Sequence, residues 1–162
     1  MLIEVHVPSQ TLRLQDNSGQ VLMETQISTG RKGVGEQNGS EQTPRGWHKI
    51  RAKIGAGQPE NTIFVARRPT GERYTPEMRT SYPGRDWILT RILWLSGLEP
   101  GRNRLGKVDT MCRFIYIHGC PDEDPMGTPG SRGCVKMRNR ELIELYDRVP
   151  VGTRVHIIAE EA

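Results

Sequence analysis

The chain has 162 residues, 35% of them hydrophobic, enough for one domain spanning 1–162 with a sizeable core, and it has no apolar run long enough to cross a bilayer. Its net charge of +4 comes from Lys and Arg scattered among acids, and aromatics make up only 6%, so a solvated basic surface is expected in place of a nucleic-acid interface. Three cysteines, an odd number, argue against a disulfide framework and for a reducing compartment.

Met1 is followed at once by Leu2-Ile3-Glu4-Val5-His6-Val7, an alternating strand with no charged, apolar or cleavage region before it. If Met1 is the native start, the expected location is the cytosol. Residues 2–7, 11–15 and 20–28 alternate apolar and polar side chains and are separated by turn formers, which predicts an antiparallel meander. Gly30-Arg31-Lys32-Gly33-Val34-Gly35 lacks the Gly-Lys-Ser/Thr ending of a phosphate loop and reads as a turn. Further strands are expected near 46–54, 87–95, 113–118 and 153–158.

Between them, Arg67 to Asp86 is rich in Pro, Gly, Arg and Tyr and reads as a long loop that covers a site. Within it, Tyr74 and Tyr82 are both candidate substrate contacts, with scaffold roles the default reading for either. A late helix is predicted over about 140–149, with Asn139 as N-cap, Leu142, Ile143, Leu145, Tyr146 and Val149 on one face, and Pro150 as the stop. The fold class is therefore mainly β with short helices.

The chemistry concentrates between Ile117 and Met137. A free thiol has a pKa near ~8.5, so at neutral pH it needs a base or a nearby cation to act as a nucleophile. His118 ends the apolar run Phe114-Ile115-Tyr116-Ile117, a buried strand that would hold an imidazole rigidly. Cys134 follows in Ser131-Arg132-Gly133-Cys134-Val135-Lys136-Met137, with Arg132, Lys136 and Arg138 close in sequence to favour thiolate. Gly133 lets the backbone turn so that consecutive N–H groups converge on a developing oxyanion. The intervening Cys120 to Gly130 stretch, full of turn formers and acids, suits a site rim. Cys112, His118, Cys120, Asp122 and Cys134 are zinc-ligand types, but no Cys-x-x-Cys or His-x-x-x-His pair occurs, so neither metal nor cofactor is expected.

His118-Gly119, the loop, Ser-x-Gly-Cys-Val-Lys-Met, a helix and then Val-Pro-Val-Gly-Thr-x-Val form an ordered series. It is preceded by Gln10-Thr11-Leu12, Gly19-Gln20-Val21, Ser28-Thr29-Gly30, Gly33-Val34-Gly35 and Thr43-Pro44-Arg45-Gly46. Together these resemble the catalytic domain of the L,D-transpeptidases, the YkuD family, over most of the chain.

The resemblance implies a β-sandwich or barrel-like fold and a cysteine acyltransferase acting on peptidoglycan stem peptides. Such an enzyme attacks the carbonyl of the L-centred third residue, usually diaminopimelate, and expels terminal D-alanine. It assigns Cys134 as nucleophile, His118 as general base, the Gly119 carbonyl as the group that orients the ring, and the amides of Arg132, Gly133 and Cys134 as the oxyanion hole. Ser131, Arg132, Lys136 and Tyr82 become candidate substrate contacts, and carbapenem β-lactams become expected covalent inhibitors.

Arg132 stands where relatives often carry His, Cys120 where they carry Thr, and Lys136 where they carry Arg. Oxidation is expected to join Cys134 to a nearby Cys120. For a cytosolic enzyme meeting tetrapeptides or muropeptides, water is the abundant acceptor, so L,D-carboxypeptidase activity is the expected outcome. The alternatives are transpeptidation or D-amino-acid exchange and, in a different class, a non-catalytic peptidoglycan-binding module.

Overall fold

The computed structural model describes residues 1–160; the last two positions of the expected domain lie outside the described residues. Its strands are β1 (Leu2–His6), β2 (Thr11–Gln15), β3 (Val21–Ser28), β4 (Gly46–Ile54), β5 (Thr62–Val65), β6 (Arg68–Arg73), β7 (Ile88–Gly97), β8 (Tyr116–Gly119), β9 (Val135–Met137) and β10 (Arg154–Ile158). Helices α1 (Pro76–Ser81) and α2 (Asn139–Arg148) complete the set.

Alternation builds the core. Ile3 and Val5 of β1, and Leu12 and Leu14 of β2, are wholly buried, while their odd-numbered or even-numbered neighbours face outward. The strand order is β4-β10-β1-β2-β3-β9-β8-β7-β5-β6, and β4 also pairs with β7. That last pairing closes eight of the ten strands into a barrel-like ring, leaving β5 and β6 as an appended hairpin. The first three strands are the expected antiparallel meander, but β1 with β10 and β8 with β9 run parallel. α2 packs Leu142, Leu145 and Tyr146 onto the core, with Val149 just beyond its end.

Several expectations need correction. The 67–86 segment is not a structureless loop, since β6 pairs with β5 and α1 follows, opened by Pro76. Ala66 and Arg67 both adopt positive φ (49° and 63°), forming the two-residue turn that fits a right-twisted hairpin. The strand predicted from 113 starts only at Tyr116, because the chain turns through Asp109 to Phe114 and leaves Phe114 exposed with φ 58°. Asn139 is not a cap but the first helical residue. Arg138 occupies the cap position, and the buried Asn139 amide serves Thr90, Asn61, Asp122 and the Cys120 carbonyl. Ile143 is only half-buried.

One buried histidine makes fold stability depend on pH. His48 is fully enclosed on β4, its Nδ1–H donating to Gly46 O (3.1 Å) and its Nε2 accepting from Thr110 Oγ1 (3.0 Å). Burial pushes its pKa down from 6.5 to about 4, against a weaker opposing pull from the Gly46 carbonyl. The unfolded chain therefore takes up this proton first, and stability present above about pH 6.5 is lost as pH falls toward about 4. Thermal melts from pH 7.5 to 4.5 should show a falling Tm, and His48→Gln should flatten that slope. An unchanged slope in the variant would contradict the assignment.

Candidate active site

Register decides what shares the site. β8 and β9 pair in parallel with Ile117 opposite Val135, His118 opposite Lys136 and Gly119 opposite Met137. Ile117, Val135 and Met137 point into the main core. Alternation then turns Tyr116, His118, Cys134 and Lys136 to the opposite face, and Cys134 packs there against Phe64, Ile92 and Tyr116. His118 and Cys134 are thus diagonal neighbours on one face of the parallel pair, with backbones roughly 8 Å apart at about 4.8 Å between strands and about 3.3 Å per residue.

The imidazole is fixed by one hydrogen bond. His118 is 1% exposed, and its Nδ1 lies 2.7 Å from the Gly119 carbonyl, which can only accept. Nδ1 therefore carries the hydrogen and Nε2 keeps its lone pair. Burial holds the ring below the usual imidazole range, while the Asp86 charge and the Gly119 carbonyl oppose that shift and Lys136 adds to it. The result is a neutral base. Gly119 is required here because a Cβ would sit 2.2 Å from Asn139 Oδ1 and 2.6 Å from Leu89 O.

Cys134 sits on a braced turn. Ser131 Oγ donates to Cys134 O (2.5 Å) and accepts from the Gly133 amide (3.1 Å). Thr43 Oγ1 donates to Gly133 O (2.9 Å) and accepts from the Gly30 amide (2.8 Å), tying the turn to the Thr-Pro-Arg-Gly segment. Gly133 has φ 122°, a conformation that favours glycine. Cys134 is half-buried. Its Sγ accepts from the Tyr116 amide (3.3 Å) and its S–H donates to Phe114 O (3.4 Å). Burial pushes this thiol well above its ordinary value; the Tyr116 amide and Arg113 oppose the shift and Asp86 reinforces it.

Two neighbouring cavities of about 310 Å³ each share part of their lining. One is lined by Cys134 with Phe64, Arg67, Ile88, Phe114 and Tyr116. The other is lined by Arg79, Arg85, Trp87, Asp124 and Lys136. Asp86 and Arg132 belong to both.

With that geometry in place, the comparisons are direct. A profile of the YkuD L,D-transpeptidase catalytic domain matches residues 1–157. The chain belongs to this family. Probable L,D-transpeptidase YbiS of Escherichia coli is 44% identical over 112 residues, which is 67% of this chain and 35% of YbiS. The helical cell shape determining protein Pgp2 of Campylobacter jejuni has a TM-score of 0.60 at 20% identity, covering 99% of this chain and 47% of Pgp2. L,D-transpeptidase 3 of Mycobacterium tuberculosis, solved in complex with a faropenem-derived adduct, has a TM-score of 0.58 at 15% identity over 97% of this chain and 59% of that one. At these identities the solved structures establish the fold alone. The chain spans about a third of YbiS and about half of the two solved chains.

Several expected residues of this YkuD-family domain stand differently from their sequence reading. The three nearby cations are occupied elsewhere. Arg132 donates to the Gly84 carbonyl, Lys136 pairs with Asp124 (2.8 Å), and Arg138 donates to Asp122 O (2.6 Å). The cation that acts on the thiol is Arg113, half-buried and anchored on Gly35 O, Ser40 Oγ and Gln42 O. No local sequence signal marked it, because its partners lie more than 70 residues away.

Ser131 is 6% exposed and braces the turn instead of facing a ligand. The Gly133 amide is committed to it, so of the three expected oxyanion donors only the Arg132 and Cys134 amides have no partner among the described residues. Tyr82 is 58% exposed and lines neither cavity, and Tyr74 is buried with its hydroxyl on Glu123 (2.5 Å).

Cys120 cannot reach Cys134 as the chain stands. It lies four residues along from Tyr116, the neighbour of Cys134, or roughly 13 Å at about 3.3 Å per residue, against the roughly 4.4–6.8 Å between Cα atoms that a disulfide needs. Burial also pushes its thiol up to about 12, and its Sγ–H is turned to Met137 O (3.5 Å). Among the described residues no helix is long and apolar enough to cross a membrane.

A thiol held up by burial has a kinetic signature. In a Cys112→Ser background, the rate of Cys134 alkylation by iodoacetamide should keep rising through pH 9, because thiolate is scarce below the raised pKa. A plateau below pH 7 would instead reveal a preformed thiolate–imidazolium pair.

Proposed function

We propose that this domain catalyses acyl transfer on peptidoglycan stem peptides, with Cys134 as nucleophile and His118 as general base. The observation that carries the reading is the 2.7 Å Nδ1–H bond to Gly119, which leaves a lone pair on Nε2 on the face of the sheet that also carries Cys134. Because burial keeps the thiol protonated and the imidazole neutral, the proton moves from Sγ to Nε2 as attack occurs. Sγ adds to the carbonyl of the L-centred third residue, and the oxyanion faces the Arg132 and Cys134 amides. The C–N bond then breaks, His118 returns its proton to the departing D-alanine amine, and a Cys134 thioester remains.

Family membership supports the substrate class. The cavity chemistry agrees with it, since the second cavity joins four cationic side chains to two carboxylates and suits a substrate that ends in a carboxylate. Two neighbouring cavities that share Asp86 and Arg132, one of them lined by Cys134, favour an amine acceptor that enters separately from the donor. Hydrolysis to a tripeptide is the second reading, favoured by the partial exposure of Cys134 to water.

Mass spectrometry of the protein incubated with a diaminopimelate-containing tetrapeptide, with and without an amine, tests both. Cross-linked or exchanged product would establish transfer, and tripeptide with free D-alanine that is insensitive to amine would establish hydrolysis. Cys134→Ala should abolish every product, and His118→Ala should slow turnover by about 10²–10⁴-fold at neutral pH. Products that survive in Cys134→Ala would contradict the mechanism.

Inhibition gives an independent check. Since the M. tuberculosis neighbour was solved with a faropenem-derived adduct, a carbapenem or penem should add its mass to this chain at Cys134 and leave Cys134→Ala unmodified.

A further inference from the structure

The second cavity holds two ions of opposite sign that the fold leaves unused. Around its wall, Asp124 takes both Arg79 (2.7 Å) and Lys136 (2.8 Å), and Arg132 is turned to the Gly84 carbonyl. Arg85 and Asp86 differ. Among the described residues neither side chain has a hydrogen-bond or ion-pair partner, although the two are adjacent in sequence and both line this cavity. Arg85 is held in place by stacking, its guanidinium 4.4 Å from the centre of the Trp87 ring. Asp86 also lines the Cys134 cavity, so it is shared by the two.

A cation and an anion adjacent in sequence and without a protein partner among the described residues, lining one cavity and with Asp86 shared with the Cys134 cavity, match a zwitterionic ligand. An α-amino acid carries an ammonium and a carboxylate on neighbouring atoms, with the nitrogen as the atom that leaves or attacks. We propose that Arg85 and Asp86 form the subsite for the amino acid that exchanges at the acyl-enzyme. Arg85 holds its α-carboxylate, and Asp86 holds its ammonium beside the thioester and sets the split between amine and water. This deepens the proposed function and rests on Cys134 carrying the acyl group.

The step balances without any further reagent. The ammonium at Asp86 first releases a proton to solvent. The free amine adds to the thioester carbonyl, and its second proton passes to His118 Nε2. The C–S bond breaks, sulfur keeps the electron pair, and His118 returns the proton to it. A new amide and a restored thiol result, with one proton released overall. The same place serves the departing D-alanine in reverse. Electrostatics support the position: Asp86 is the foremost charge acting on both His118 and Cys134. Once the thiol is acylated, its penalty on thiolate disappears and its support for a basic His118 remains.

The test measures the ratio of exchanged tetrapeptide to tripeptide formed from a diaminopimelate-containing tetrapeptide, with D-methionine or D-methioninol as acceptor. Both products arise from one acyl-enzyme, so general damage to the protein does not move the ratio. Asp86→Asn should lower it at least tenfold for both acceptors. Arg85→Gln should lower it for D-methionine and leave D-methioninol, which lacks the carboxylate, unaffected. Both residues are exposed, and melting curves check that the variants remain folded.

An unchanged ratio in Asp86→Asn, an equal fall for both acceptors in Arg85→Gln, or a wild-type acyl-enzyme that yields only tripeptide would overturn the subsite while leaving Cys134 as nucleophile. A wild type that forms no Cys134 acyl-enzyme would overturn the underlying reading and the subsite with it.

Discussion

The parallel pairing of β8 with β9 is the constraint on which the site depends. It sets His118 beside Lys136 and one step past Cys134, and it turns Ile117, Val135 and Met137 into the core. A slip of one residue would turn His118 into the main core and bring Ile117, Val135 and Met137 out of it, so packing of the barrel and alignment of the two side chains are specified together. The 2.7 Å bond from His118 to Gly119 completes the arrangement by choosing the tautomer. Gly119 in turn leaves no room for a side chain between Asn139 and Leu89, so the helix start and β7 fix the peptide that fixes the ring.

Burial gives this site its electrostatic character. Both His118 and Cys134 are held toward their neutral forms, the imidazole shifted down and the thiol up. A resting ion pair would need a cation directed at sulfur. Lys136, the residue opposite His118, is spent on Asp124, which is also bound by Arg79 from α1. That network ties the appended segment to the loop after β8. Arg113, held by three backbone and side-chain acceptors from the 35–42 region, supplies the positive charge that remains near the thiol.

Much of this was legible in the sequence for physical reasons. Strict alternation in β1 and β2 marked one buried face, and Leu142, Leu145 and Tyr146 marked the packed stripe of α2. Glycine before cysteine signalled a tight backbone, which the positive φ at Gly133 explains, whereas the close quarters at Gly119 come from Asn139 and Leu89 and were not legible. What could not be read depends on distant pairing. Thr43 reaches Gly133 across 90 residues of sequence, and Asn139 reaches Asn61 across 78, so neither shows up in local pattern. The β6 strand hid because all its residues are exposed and carry no hydrophobic alternation. Nearness in sequence also misled. Arg132, Lys136 and Arg138 flank Cys134 along the chain, yet the acceptors they find carry their charges elsewhere.

The central claim is that His118 rests neutral with its hydrogen on Nδ1 and a lone pair on Nε2. Histidine-selective ¹⁵N NMR of the intact chain at pH 7, with His118→Gln used to assign the signal, measures this directly. The account predicts a protonated Nδ1 and an unprotonated Nε2 for His118. A hydrogen on Nε2, or protonation at both nitrogens, would contradict it.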